Sequence, residues 1–203
     1  MTDTPSNKPD PTAAQVQGVI DRAKNMVLKP QESWAAIDGE AATVQSIYVP
    51  YVLVLAAIGP VAQFIGGQAF GFSLLGVTYR PPMGSALATM ILSYGFALAS
   101  VYIVALVIDA LAPTFGGQKN PIQALKVAAY SATAGWLAGI FGLVPALAVL
   151  GLLGLYSLYL LYLGLPMLMK APPEKALGYT AVVVLVAAVV IILVGAIVGA
   201  LAS

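Results

Sequence analysis

Cysteine and histidine are both absent from the 203 residues, and charged residues are scarce. The chain therefore forms no disulfide, performs no thiol catalysis and lacks the commonest protein ligands of zinc and haem. Only 8% of its residues are charged and 60% are apolar, which is too little polarity for the surface of a water-soluble domain. Its net charge of +1 and the lack of a basic cluster give no sign of a nucleic-acid partner. We expect no nucleic acid, no metal and no cofactor.

The few charges that are present divide the chain into four long uncharged runs. These runs follow Glu40, Arg80, Lys126 and Lys175, and they are 39, 28, 43 and 28 residues long. Because a helix needs about 20 apolar residues to span a bilayer, the sequence predicts an all-α polytopic integral membrane protein. The run after Lys126 exceeds one helix, and "GLVP" at 142–145 is its strongest break.

Five transmembrane helices are predicted from these runs and breaks. They occupy residues 45–66, 85–111, 122–142, 146–168 and 177–201. A re-entrant pair within 127–169 that never reaches the far side is the alternative to the third and fourth helices. The sequence does not decide whether residues 127–169 cross the membrane in two full helices or form this re-entrant pair.

Lysine and arginine predict the orientation of the five helices. With the N-terminus inside, eight of these residues lie on the cytoplasmic side and only Arg80 lies outside. Residues 1–42 carry no apolar core of the kind a signal peptide has, so we expect the first helix to act as an uncleaved anchor. The C-terminus should lie on the far side of the membrane, which in a bacterium would be the cytoplasmic (inner) membrane.

The polar residues before the first span predict a tail and an amphipathic segment. Residues 1–11 should be disordered, residues 12–43 should form a cytoplasmic juxtamembrane segment, and residues 44–203 should form the transmembrane domain. Pro30 ends one short helix and can open a second. The apolar side chains that we expect to anchor this segment in the membrane interface are Val16, Val19, Ile20, Ala23, Val27 and Trp34. Packing of the same stripe on the chain's own helix bundle is an equally compatible alternative.

Asp109 and Lys126 are the only charges well inside the predicted spans. Both lie about one turn below the same loop, so we expect a structural ion pair; a functional polar site in the membrane is the alternative. Tyr156, Tyr159 and Tyr162 form a stripe on the fourth helix, and we expect packing with hydroxyl hydrogen bonds there rather than a pore lining.

Two GxxxG motifs predict close helix packing, because small residues let helix backbones approach each other in a membrane. They are Gly135 with Gly139 and Gly195 with Gly199. Packing inside the chain is expected in preference to contact between copies.

Reactive side chains are too few for catalysis within the membrane. An aspartyl protease needs two carboxylates and only one lies in a span, while metalloprotease and serine-histidine sites need a histidine. We therefore expect a non-enzymatic membrane scaffold or adaptor, whose partners are the lipid bilayer and other membrane proteins or a second copy. The alternative is a small-molecule or ion conduit, which would use Asp109, Lys126, Tyr130, Ser131, Thr133 and the tyrosine stripe.

The order of segments resembles the Yip family of Ypt/Rab-interacting membrane proteins, in particular its short prokaryotic members. "LKP" precedes a tryptophan and a small helix, "ALKVAAYSATAGWLAGIFGLVPALAVLGLLGLYSLYLLYLGL" covers 124–165, and a short "KAPPEKAL" loop follows. The similarity covers roughly residues 26–200. It implies five membrane helices and no known catalytic activity.

Eukaryotic members of this family bind prenylated Rab GTPases and partner membrane proteins in vesicle traffic. Two departures limit what the resemblance implies here. The Asp-Leu-Tyr-Gly-Pro signature before the first span is missing, and "ATAG" stands at 132–135 where a proline often follows "AYS". Rab binding is therefore not inferred, and no functional residue of the family is transferred.

Overall fold

The computed structural model describes residues 11–74 and 77–202. Residues 1–10, which make up nearly all of the predicted disordered tail, lie outside this range. The protein is all-α, with 87% of it helical. Four of its helices are long and apolar enough to cross a membrane, and we name them spans A to D: A (Val44–Ala69), B (Met83–Phe115), C (Pro145–Met169) and D (Pro173–Ala200).

Two helices precede span A. Helix α1 (Pro11–Leu28) ends at Leu28, and Pro30 opens α2 (Pro30–Gly39), where its missing N–H is harmless and its fixed φ suits a first turn. The helix bounds therefore follow the proline and glycine signals closely.

Spans A to D are built from shorter helical pieces. Span A contains Val44–Ile47, the π-helical Tyr48–Val52, Leu53–Ala56 and Ile58–Ala69, with extended backbone at Val49 before a cis Pro50. Span B consists of the α-helix Met83–Leu111 and the 3-10 turn Ala112–Phe115. Span C consists of the 3-10 helix Pro145–Leu155 and the α-helix Tyr156–Met169. Span D begins with the 3-10 turn Pro173–Lys175 and continues as the α-helix Ala176–Ala202. These four spans match four of the five predicted helices.

The predicted helix at 122–142 is present but interrupted. We call residues 121–143 the central segment; it consists of the α-helices Pro121–Ser131 and Thr133–Ala138 and the 3-10 helix Gly139–Leu143. A turn interrupts it at Ala132, as one interrupts span A at Ala57, and the polar side chains of Gln123 and Lys126 make it less apolar than the four spans. By length and composition, the described part of the chain thus offers four candidate spans rather than the predicted five.

The central segment occupies the middle of the bundle. Every residue from Ala124 to Ser131 is buried, so this helix is enclosed on all sides, as expected of a helix without a solvent face. Spans A, B and C pack against it, and span D packs against B and C. Helix α2 packs on span C, while α1 contacts α2, span A and the central segment.

Span A and the central segment run side by side in the same direction. The hydroxyls of Tyr51 and Thr133 lie 2.7 Å apart, and further along a Cβ on Gly142 would lie 2.9 Å from Gln63 Cγ. The turn that follows the central segment therefore lies level with the last two turns of span A.

A short β-hairpin that the sequence analysis did not predict connects spans A and B. Strands β1 (Phe72–Leu74) and β2 (Val77–Tyr79) pair antiparallel, with Phe72 opposite Tyr79. Gly71 opens the hairpin at φ +74°, a conformation that favours glycine. Arg80 closes it by donating to the Ala69 carbonyl at 3.1 Å.

The two GxxxG motifs have different surroundings. A Cβ on Gly139 would lie 2.8 Å from the Cα of Gly59 in span A, and one on Gly154 would lie 3.3 Å from the Cα of Gly135. By contrast, no atom lies within 4 Å of a Cβ built on Gly195 or Gly199. The first motif therefore packs inside the chain, and the second faces open space.

Replacing Gly139 with alanine should destabilise the protein. The new methyl group would press on backbone atoms of span A, which cannot move aside as a flexible side chain can, so we expect a loss of about 1–3 kcal/mol. Gly195→Ala is the matched control and should lose nothing. Thermal unfolding in detergent measures both; equal melting temperatures for the two variants would contradict the close contact.

A candidate polar site between the N-terminal helices and the bundle

Lys126 is the only charged residue in the described part of the chain that is fully buried, with 2% of its surface exposed. Its Nζ donates to the carbonyl of Ile37 at 2.8 Å and to that of Glu40 at 2.5 Å. These carbonyls belong to the last turn of α2 and to the residue after it. The last carbonyls of a helix lack intrahelical partners and carry the negative end of the helix dipole, so the ammonium group caps α2.

Arg22 on α1 provides a second contact with the end of α2. Its guanidinium forms an ion pair with the Glu40 carboxylate at 2.9 Å and lies 5.4 Å from the ring centroid of Tyr130 on the central segment. Burial by itself lowers the pKa of Arg22, but the hydrogen bond to Glu40 and nearby tyrosines outweigh it, and the pKa lies above its ordinary value. Arg22 therefore stays charged and joins α1, α2 and the central segment.

Asp38 is the third anchoring point of α2. Its carboxylate accepts from Lys170 Nζ at the end of span C at 2.6 Å and from Gln123 Nε2 of the central segment at 3.1 Å. Gln123 also donates to the Asp38 carbonyl at 3.0 Å. Two consecutive elements of the bundle, the central segment and span C, thus contact one turn of α2.

Trp34 lies under this polar site and has no exposed surface. Its ring packs flat against span C at Gly164, where a Cβ would lie 2.7 Å from Trp34 Cζ2. On another side the ring meets Tyr130 at a centroid distance of 6.4 Å. We expected Trp34 at headgroup level, and the structure places it in the protein core, because a glycine leaves room there for the indole.

The other predicted membrane anchors divide between two faces of α1. Val19 and Ala23 are buried at 6% and 4%, whereas Val16 and Ile20 are 48% and 52% exposed. Val27 is half-buried. One part of the predicted stripe therefore packs on the bundle, and the other part remains uncovered by protein.

Several of the polar groups proposed for a conduit are hydrogen-bonded within the protein. Thr133 donates to the carbonyl of Tyr130 at 2.6 Å, and Ser131 donates to a carbonyl three residues earlier. On span C, the Tyr156 hydroxyl donates to the Val27 carbonyl at 3.1 Å. Tyr159 and Tyr162 are 43% and 39% exposed on the outside of the bundle.

The structure does not bring Asp109 and Lys126 together. Among the described residues the ion pairs are Arg22–Glu40, Lys29–Glu32 and Lys170–Asp38. Asp109 lies on span B, and its buried Oδ1 has no hydrogen-bond partner. Lys126 does not form the expected ion pair with Asp109. It donates instead to the carbonyls at the end of α2, because these lie within hydrogen-bonding distance of its ammonium group.

Sequence reasoning did not identify Arg22, Asp38, Glu40, Gln123 or Lys170 as parts of one site. The signal available in the sequence was the concentration of charge just before the first span, together with Lys126 and Lys170 near the ends of two predicted spans. No group of three histidine, cysteine, aspartate or glutamate side chains suited to a metal ion occurs within 11–74 and 77–202.

A bundle of long apolar helices, with a pair of N-terminal helices fixed to one end by polar contacts, defines a polytopic helical membrane protein. The chain belongs to the Yip1-domain family, since the profile of the Yip1 domain matches residues 24–195. This confirms the resemblance drawn from the sequence.

Curated relatives agree with this assignment. The chain is 28% identical over 156 residues to "Inner membrane protein YohC" of Escherichia coli strain K12, covering 74% of this chain and 80% of the relative. The protein of the same name from Escherichia coli O6:H1 strain CFT073 matches with the same identity and coverage. No solved structure matches the chain.

Lys126→Met should loosen the N-terminal helix pair. It removes both lysine hydrogen bonds, so the Glu40 carbonyl loses its lysine donor while the Ile37 carbonyl keeps only the Glu40 N–H at 3.2 Å, and we expect a loss of about 1–3 kcal/mol in the free energy of unfolding. Trypsin should also cleave faster after Lys24 and Lys29. The control is Lys119→Met, which removes an exposed charge from the loop before the central segment; similar digestion rates for both variants would argue against the cap.

A double-mutant cycle tests whether Asp109 and Lys126 interact. Since they share no contact, the stability losses of Asp109→Asn and Lys126→Met should add within about 0.5 kcal/mol. Thermal unfolding of both single variants and the double variant in one detergent provides the measurement. Substantial recovery in the double variant would instead reveal a direct ion pair.

Proposed function

We propose that this protein is a non-enzymatic membrane scaffold or adaptor that acts through helix contacts and through its N-terminal helix pair. The observation that carries the proposal is the anchoring of α2 by Lys126, Arg22 and Lys170, which holds the pair in one orientation on the bundle. A fixed amphipathic element presents a constant surface to lipids and neighbouring proteins.

The internal hydrogen bonding of the bundle supports this role over transport. A conduit needs polar groups that can exchange partners along a path. Here the Lys126 ammonium donates hydrogen bonds to two carbonyls, and the hydroxyls of Thr133 and Tyr51 are hydrogen-bonded to each other. Polar side chains used in this way stabilise helix packing and leave few groups to coordinate a moving ion.

Asp109 favours the second candidate function, a small-molecule or ion conduit. Its Oδ1 is enclosed without a partner, and ionisable groups at membrane depth often mark pathways. Reconstitution separates the two functions. A scaffold should produce no proton or potassium flux above that of empty liposomes, whereas flux that disappears in Asp109→Asn would establish the conduit.

We further propose five membrane crossings, with the central segment as the third. Support comes from its parallel course beside span A and from the turn at 143–145 lying level with the end of that span. The excess of lysine and arginine on one side supports a cytoplasmic N-terminus and, with five crossings, a C-terminus across the membrane.

The location proposed for the chain is the inner membrane, by analogy with the name of its Escherichia coli relative. The bilayer is its first partner. Other membrane proteins, or a second copy meeting it through the open Gly195 and Gly199 face of span D, are further partners, and binding of a Rab-type GTPase is not inferred.

Cysteine labelling tests the topology, and the native chain contributes no background because it has no cysteine. Gln118→Cys and Glu174→Cys should react with an impermeant maleimide only from the cytoplasmic side, and Met83→Cys and Ser203→Cys only from the other. Ser203→Cys reacting on the cytoplasmic side would require four crossings and would refute the five-span topology.

A further inference from the structure

An apolar groove of about 460 Å³ lies between α1 and span A. Its size is within the range of about 300–1,000 Å³ of small-molecule sites. One wall is α1, the other is span A, and Leu137 of the central segment forms the floor. The residues that line it are Val16, Val19, Ile20, Ala23 and Lys24 of α1 and Pro50, Val54, Leu55 and Ile58 of span A.

The groove lies at membrane depth. Val54 and Ile58 follow the first residue of span A by roughly 15–21 Å along the helix at 1.5 Å per residue. Span A is a candidate membrane-crossing helix, so a groove along its middle turns meets lipid chains rather than water. Its natural occupant is a hydrocarbon chain.

Large apolar side chains on both walls are uncovered by protein. Val16 and Ile20 on α1 are 48% and 52% exposed, and Val54 opposite them is 47% exposed. An alkyl chain between the walls would contact all three side chains at once. Because α1 is tied down by Arg22, it cannot close the groove by moving onto span A without breaking that ion pair.

The one charged side chain that lines the groove indicates which kind of lipid headgroup would bind there. Lys24 is the only charged residue among those that line it. Its neighbours Arg22 and Lys29 are neutralised by Glu40 and Glu32, but Lys24 forms no ion pair with any residue in 11–74 or 77–202. Asp21, one turn earlier, accepts from Gln17 and lines a different, polar cleft between α1 and α2.

We infer that this groove binds one anionic phospholipid, with an acyl chain between α1 and span A and its phosphate on Lys24. The inference rests on the proposed function, in which the N-terminal helix pair presents a surface to lipids. It adds a defined lipid site to a surface that would otherwise contact the bilayer nonspecifically, and the long lysine stem allows the ammonium to reach the headgroup region from an apolar groove.

Native mass spectrometry of the purified full-length protein tests the site. The probes are phosphatidylglycerol and phosphatidylcholine with the same acyl chains, titrated in one detergent. The native protein should bind one phosphatidylglycerol in preference, and Lys24→Gln should weaken that binding about fivefold, as expected for one lysine near an anionic headgroup. Binding of phosphatidylcholine, whose phosphate charge is balanced by its choline, should weaken less.

Two further variants test whether the lipid binds in the groove. Val54→Trp fills it and should reduce binding of both lipids, while the matched charge control Lys119→Gln should change neither. The lipid site is overturned if Lys24→Gln and Lys119→Gln weaken binding equally, or if Val54→Trp leaves lipid binding intact. If Val54→Trp instead breaks an oligomer, the groove's occupant is a second copy of the chain.

A separate readout distinguishes this site from the proposed placement of α1. A fluorophore on Ile20→Cys in vesicles should be quenched by nitroxide-labelled lipids if α1 lies at the membrane surface. Absence of quenching would refute the placement and the lipid site together. Quenching combined with an ineffective Lys24→Gln would refute the lipid site alone.

Discussion

The ammonium group of Lys126 is enclosed in protein, and a charge in that position must regain the hydrogen bonds that it loses on leaving water. It does so with the carbonyls at the end of α2. Those carbonyls lie at the end of α2, where a helix leaves acceptors available, and that of Ile37 also accepts from the Glu40 N–H. The need of the buried ammonium for these acceptors fixes the position of the N-terminal helix pair. The contacts of Arg22, Asp38 and Trp34 then form around that position.

Glycine makes the remaining close contacts possible. Within a bilayer, burying apolar side chains against other helices gains little, because lipid tails are equally apolar, and association depends on close packing and hydrogen bonds. Gly164 accommodates the Trp34 ring, and Gly139 lets its helix approach Gly59 of span A. The same residue type therefore serves two purposes, receiving an aromatic ring at the N-terminal side and joining two helix backbones deeper in the bundle.

Helix α1 packs on the bundle with one face and leaves apolar side chains of its other face uncovered by protein, which supports the proposed scaffold role. Its Val19 and Ala23 face the bundle, while Val16 and Ile20 remain exposed beside span A. A helix attached only by lipid could tilt or leave the membrane, and one covered only by protein would present no apolar surface. Fixing one face to the bundle gives the exposed face a defined position, which a membrane adaptor requires.

The sequence by itself determined the fold class, the positions of four apolar spans, the ends of α1 and α2, and the family. Uncharged runs of 28 or more residues leave few structures other than membrane helices, and proline and glycine end helices by local backbone geometry. These are properties of segments, and a segment carries them wherever it lies in the fold.

Only the tertiary structure decided what Lys126, Trp34 and the first GxxxG motif contact. A buried lysine can be satisfied by a carboxylate or by helix carbonyls, and the choice depends on which surface α2 covers, a fact that no local pattern contains. In the same way, nothing around Gly135–Gly139 and Gly195–Gly199 distinguishes the packed pair from the open one. Spacing shows that a face of small residues exists, whereas the arrangement of the other helices determines whether a neighbour lies against it.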